Sequence, residues 1–207
     1  MNTMTTNTTL QVISPTPVVL NFGSFLKKMS DEEFFEFCQR NRDWRIERTK
    51  EGDLIIMSSA GSETGGYNFN LATEFGSWVK RDGTGKGFDS STGFILPNGA
   101  ERAPDLSWIL LERWNAVPKA KRKKFAPICP DFVVEIRLES DSLKKLKAKM
   151  EEYIENGASL GWLIDPTRKR VYVYRPNTEV KTLDNPREVS GEPLLKGFVL
   201  KMKEIWD

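Results

Sequence analysis

The sequence predicts an α/β fold in which a mixed β-sheet carries helices on its faces. Three observations point there. Asp131–Ile136 and Leu160–Ile164 are short and almost wholly apolar, the pattern of strands covered on both sides. Between them Leu143, Leu146, Met150, Tyr153 and Ile154 recur at helical spacing, so 131–164 has the length and order of a βαβ crossover. Over the whole chain the order is strand, strand, helix, strands, helix, strand, which one sheet flanked by helices accommodates.

The elements follow in turn. Ser30 caps a helix whose first turn is acidic (Asp31, Glu32, Glu33) and which runs through Phe34, Phe35 and Phe37 to about Asn41. Trp44–Glu47 and Leu54–Met57 are strands joined by the turn at Lys50-Glu51-Gly52-Asp53. Leu71, Phe75, Trp78 and Val79 place a helix over Ser62–Lys80, broken at Gly83. Short strands follow at Lys86–Asp89 and Gly93–Leu96, with a turn at Pro97-Asn98-Gly99, and another at Leu106–Leu110. A short helix over Glu112–Val117 leads into a basic loop bounded by prolines. Ser140 or Asp141 caps the long helix, which Asn156-Gly157 ends. After Asp165-Pro166 a strand is predicted at Arg170–Tyr174, and the tail shows only turn signals and an apolar patch, Leu194–Val199.

At 207 residues the chain suits one domain, placed at 23–207, behind a flexible leader at 1–22 that is rich in Thr, Asn and Pro. The net charge of +2 carries no signal, so an argument for nucleic acid must rest on local clusters. The densest is Lys119, Lys121, Arg122, Lys123 and Lys124, which reads either as a solvated loop or as a phosphate-backbone contact. Cys38 and Cys129 have neither disulfide nor zinc spacing and fit a reducing compartment. With no stretch near the ~20 apolar residues of a membrane span, a cytoplasmic location is expected. Histidine is absent altogether. Ser-His-Asp, Cys-His and His-ligated zinc chemistry are therefore excluded, leaving carboxylates, lysines, tyrosines and metal-bound water.

Two carboxylates sit in unusual settings. Asp105 follows Pro104 at the mouth of a strand, and Glu135 lies inside Phe132-Val133-Val134-Glu135-Ile136. An acid within an apolar strand must be paired, protonated or bound to a cation. Two on neighbouring strands repel each other, and a hard divalent cation such as Mg²⁺ resolves the conflict. Such a metal would acidify a bound water and polarise a phosphoryl oxygen. On the helical wheel, Lys149 and Lys147 occupy opposite rims of the apolar stripe and Lys145 lies farther out, so spacing alone leaves both rim lysines open.

Asp105 in "APDLSWI", with "CPDFVVEIRLESDSLKKLKAKMEEYIENGASLGWLIDP" from Cys129, resembles the Uma2 (DUF820) family. That family is abundant in cyanobacteria and falls within the PD-(D/E)xK nuclease superfamily. "GSETG" at Gly61–Gly65 and "STGFILPNGAERAPD" at Ser91–Asp105 share the likeness, which runs from about Asp31 to the end. The resemblance implies a restriction-endonuclease-like core, often a homodimer, and a Mg²⁺- or Mn²⁺-dependent endonuclease acting on nucleic acid, with DNA the expected substrate. Carried over, Asp105 and Glu135 are the metal ligands, and Glu63 resembles the extra acid some such nucleases bring to the metal, with Glu74 as fallback. The E-x-K lysine is missing, because Arg137 stands in its place. Lys149 resembles the lysine that has moved to the following helix in other members. A guanidinium cannot act as a base, so Arg137 would clamp phosphate or form an ion pair. Its presence also supports the alternative of a catalytically decayed relative, acting as a dimeric nucleic-acid-binding or regulatory module.

Overall fold

The structure, a computed structural model, describes residues 17–21, 29–57 and 61–206. The elements in chain order are β1 (Val18–Leu20), α1 (Asp31–Arg40), β2 (Arg45–Arg48), β3 (Leu54–Met57), α2 (Ser62–Asp82), β4 (Gly85–Asp89), β5 (Phe94–Ile95), β6 (Glu101–Arg102), β7 (Leu106–Leu110) and α3 (Leu111–Ala116). They continue with β8 (Phe132–Ile136), α4 (Leu143–Glu155), β9 (Leu160–Asp165), β10 (Arg170–Tyr174), β11 (Lys181–Asp184), β12 (Glu188–Ser190), β13 (Val199–Lys201) and α5 (Lys203–Trp206).

The main sheet is mixed, with order β11-β10-β9-β8-β7-β4. Only its central pair, β8 and β9, is parallel. The crossover between them is α4, as the apolar periodicity predicts. Because side chains alternate along a strand, β8 divides its five residues between two helices. Phe132, Val134 and Ile136 join Leu71, Phe75 and Trp78 of α2 in the larger core cluster, which also takes Trp108, Trp162 and Phe198. Val133 faces the other way, with Leu163, Met150 and Tyr153 under α4. Glu135 shares that α4 face, and this period-2 rule decides everything about its surroundings. Trp108 and Trp162 are fully buried core side chains.

The structure departs from the predicted single sheet. The strands at Arg45–Arg48 and Leu54–Met57 do not join the main sheet but a second, wholly antiparallel one ordered β1-β3-β2-β6-β5. That sheet has its own apolar cluster in Phe34, Ile46 and Leu54. Residues 18–20, within the segment read as a leader, form its edge strand β1, while 1–16 and 22 lie outside the described residues. The two-residue β6 was missed because two residues cannot display an alternation. The tail also holds more order than its turn residues suggest. β12 and β13 pair with each other, and Leu195, Phe198 and Leu200 pack into the main core.

Two helix starts illustrate local control. Ser30 and Glu33 form a reciprocal capping box at α1. The cap of α4 is Ser142 rather than Ser140 or Asp141, and the Asp141 carboxylate instead accepts the Leu138 N–H at 2.9 Å. Gly157 ends the α4 turn with φ +107°, a conformation closed to most side chains. Both cysteines are free thiols, and burial pushes each up to about 12.

Candidate functional site

The main sheet brings Asp105 and Glu135 together by register. Leu106 pairs with Val134 across the antiparallel β7–β8 ladder, and the Asp105 N–H continues it to the Val134 carbonyl at 3.0 Å. Asp105 therefore lies at the end of β8. Its Oδ2 accepts the Ile136 N–H at 2.7 Å, one residue from Glu135. Glu135 is 4% exposed and its Oε1 accepts from the Tyr153 hydroxyl at 3.2 Å. Lys149 sits one turn before Tyr153 on α4, and its Nζ lies 2.7 Å from Glu135 Oε1. Of the two rim lysines, Lys149 reaches the acid. Lys147 turns to the opposite rim and stacks over the Tyr172 ring at 4.3 Å.

A third acid completes the cluster. Glu47 on β2 is 2% exposed, and its Oε1 stands 2.8 Å from Lys149 Nζ while accepting the Ala103 N–H at 3.0 Å. Its Oε2 meets Arg102, whose Nε lies 2.6 Å from Glu152 of α4. Neighbouring Arg45 takes Asp105, with Nη1 at 2.7 Å from Oδ1, and donates its other terminal nitrogen to the Ala103 carbonyl. Sequence reasoning missed Glu47, Arg45 and Arg102. The one available signal was the alternation Arg45-Ile46-Glu47-Arg48, which puts Arg45 and Glu47 on one face of a strand whose apolar neighbours imply burial.

These groups line a cavity of about 940 Å³ between the smaller sheet and α4. Asp105, Glu135, Glu47, Arg45, Arg102 and Lys149 all face it. Burial pushes the Glu135 carboxyl up to about 7, with Asp105 and Glu47 adding to the rise and Lys149 opposing it. Glu47 goes the other way. Burial opposes its ionisation too, but Lys149, Arg102 and Arg45 together hold it at about 2. Burial would favour neutral Lys149, yet Glu135 and Glu47 keep it above its ordinary value, so it is an ammonium at neutral pH.

The other residues singled out from sequence lie elsewhere. Glu63 is exposed in the first turn of α2 and does not line the cavity, although Thr64 and Asn68 do. Glu74 is exposed on the same helix. Arg137 is tied into the protein, with Nη1 3.0 Å from Asp165 Oδ2 and Nε donating to the Asp141 carbonyl at 3.2 Å. In the basic segment, Lys121 and Lys124 approach Glu32 at 3.0 and 4.0 Å. Arg122 donates to the Val117 and Asn115 carbonyls and lies over Trp114. Lys119 and Lys123 are exposed.

Among the described residues, no three acid, cysteine or histidine side chains stand ready to hold a metal ion. The donor chemistry still fits a hard cation. Asp105, Glu135 and Glu47 supply only oxygen ligands to one cavity, and each is held by a cationic side chain that could yield its place. Among the described residues, no helix is long and apolar enough to cross a membrane.

No curated protein matches the chain. Among solved structures, it is similar to the crystal structure of "a putative nuclease belonging to DUF820" from Anabaena variabilis, with 22% sequence identity and a TM-score of 0.65. The match covers 78% of this chain and 89% of that one, and at this identity it establishes the fold alone. The model of the Uma2 family, described as "Putative restriction endonuclease", matches residues 31–203. Those residues hold β2, β7, β8 and α4, and with them every charged group of the cavity, so the chain belongs to the Uma2 family.

Proposed function

We propose that this protein is a Mg²⁺- or Mn²⁺-dependent endonuclease that hydrolyses phosphodiester bonds in nucleic acid, with DNA the expected substrate. The observation that carries the reading is Lys149, whose ammonium bridges Glu135 and Glu47 in the same cavity as Asp105. Membership of a family described as "Putative restriction endonuclease" supports a nuclease, as does the likeness in fold to the Anabaena protein.

In this reading Asp105 and Glu135 hold the metal, which supplies an acidified water and a polarised phosphoryl oxygen when bound. Glu47 is the third acid, in the role that the sequence resemblance gave to Glu63. Lys149 stays protonated, so it orients the attacking water and offsets developing charge rather than removing a proton. Tyr153 and Arg102 fix the positions of Glu135 and Glu47 through the contacts described above. Lys121, Arg122, Lys123 and Lys124 would add backbone contacts, and Lys121, Lys123 and Lys124 are exposed. A cytoplasmic homodimer belongs to the same proposal.

Cleavage of labelled plasmid and single-stranded DNA tests it, with Mg²⁺ or Mn²⁺, comparing wild type, Glu135→Ala and an EDTA control. Cutting that needs metal and disappears in the variant supports the reading; cutting that survives Glu135→Ala removes it. A second reading, a decayed relative that binds nucleic acid without cutting it, draws on Arg137, whose guanidinium is engaged by Asp165 where the motif has a lysine. Salt-sensitive DNA binding without any divalent-cation binding would favour it.

A further inference from the structure

Resting on the metal-dependent reading above, we propose that Arg45 is a built-in counter-cation: its guanidinium occupies Asp105 in the metal-free protein and leaves when a divalent cation binds. Arg45 thereby sets the metal affinity of the site.

Three features carry this. First, the contact is direct, since Arg45 Nη1 lies 2.7 Å from Asp105 Oδ1, and the other oxygen, Oδ2, accepts the Ile136 N–H at 2.7 Å. A divalent cation that ligates Asp105 at Oδ1 therefore meets the guanidinium there, and the two positive charges repel at contact distance. Second, Arg45 is one of the cations of the cavity, with Arg102 and Lys149, so a doubly charged ion added with Arg45 in place would enter beside a ligand that already carries a positive counter-charge. Third, Arg45 has somewhere to go. Its Nε is buried without a hydrogen-bond partner in the resting pose, so that pose leaves one donor unsatisfied. The side chain is 30% exposed and stands in the wall between the site cavity and a second one of about 530 Å³. The second cavity offers Asp43 and Ser91 among its polar lining, acceptors a displaced guanidinium can use.

Arg102 and Lys149 are cations of the same cavity but contact Glu47, Glu152 or Glu135, not Asp105. Charge alone would make Arg45 and Arg102 equivalent for metal binding; of the two, Arg45 holds the ligand Asp105 and Arg102 the third acid, Glu47.

Mn²⁺ binding to the full chain, without nucleic acid, is the test, followed by calorimetry and by loss of the free-ion paramagnetic resonance signal. Arg45→Met should bind Mn²⁺ at least tenfold more tightly than wild type, Arg45→Lys should gain less, and Arg102→Met should change less than Arg45→Lys. Asp105→Asn should abolish the gain when combined with Arg45→Met. Equal or weaker binding by Arg45→Met, or the same gain in Arg102→Met, would overturn the proposal while leaving the metal-dependent reading standing. Should Arg45→Met fail to fold, by near-ultraviolet circular dichroism, Arg45→Lys decides alone, and affinity unchanged from wild type sinks the idea. Failure of every variant and of wild type to bind Mn²⁺ would remove the metal-dependent reading and this inference with it.

Discussion

Glu47 and Lys149 are 102 residues apart in the chain, and their charged groups stand 2.8 Å apart. One belongs to the smaller sheet and the other to the crossover helix of the main sheet, so this contact fastens the two halves at the site itself. The same ammonium also holds Glu135, which makes structure and chemistry hard to separate here.

Removing Glu47 should therefore cost stability as well as activity. Glu47→Ala takes one of two carboxylate partners from each of Lys149, which keeps Glu135, and Arg102, which keeps Glu152, so the loss should lie below the about 3–5 kcal/mol of a buried charge left with no partner. Urea unfolding checks the loss. Since the folded Glu47 carboxyl is held at about 2, below its ordinary value of 4.5, its stabilisation is present above pH 4.5 and fades as pH falls toward 2. The wild-type advantage over Glu47→Ala should therefore shrink between pH 4.5 and 2, and an advantage that does not vary with pH would argue against the network.

Lys149→Met and Lys147→Met separate the two rim lysines. If Lys149 orients the water, cleavage should fall by about 10²–10³-fold, the usual cost of one preorganised donor. Lys147→Met should leave cleavage near wild type, because its Nζ lies over Tyr172 and away from both acids. Single-turnover rates with saturating metal read the difference. Equal losses in both variants would point to helix stability instead.

Glu101 gives the opposite pH signature from Glu47. It is 2% exposed, and burial pushes it up to about 8 although Arg48 Nε lies 2.7 Å away. Its folded pKa is raised, so its stabilisation is full below pH 4.5 and is lost as pH rises toward 8. Glu101→Gln should be more stable relative to wild type at pH 9 than at pH 5, measured by thermal unfolding in matched buffers. A difference that does not vary with pH would refute the assignment.

The start of α4 is open to a simple check. Ser142→Ala should cost about 1 kcal/mol as the loss of a helix cap, whereas Ser140→Ala should cost almost nothing. Equal effects would mean that neither serine is the cap.

Much of the main sheet was legible because its strands are long enough to show their pattern. Leu106–Leu110 and Arg170–Tyr174 have the predicted bounds, and the α4 stripe fixed both the crossover and the helix face. Asp105 and Glu135 could be singled out because an acid at the mouth of or within an apolar strand breaks a rule, whereas spacing left Lys147 and Lys149 open and the family resemblance pointed to Lys149. Glu47 broke none. It lies in a short polar-looking strand, and the partners that cover it, Arg102 and Ala103 and the α4 lysine Lys149, approach it only after long-range folding. The placement of the short strands likewise depended on partners far away in sequence. For the cap of α4, three polar residues in a row, Ser140-Asp141-Ser142, left the choice to tertiary context.

The division of the structure into two sheets carries one more consequence. The smaller sheet keeps its own apolar cluster around Phe34, Ile46 and Leu54, while Arg102 and Glu47 meet α4 through ionic contacts. A joint made in part from charges can be loosened by salt or acid without dissolving either hydrophobic nucleus. Hydrogen exchange should then find the amides of β2 and β3 released as one cooperative unit, with β8 and β9 opening only when the whole molecule unfolds. The molecule would behave as a lid and a base, with its most reactive side chains forming the latch.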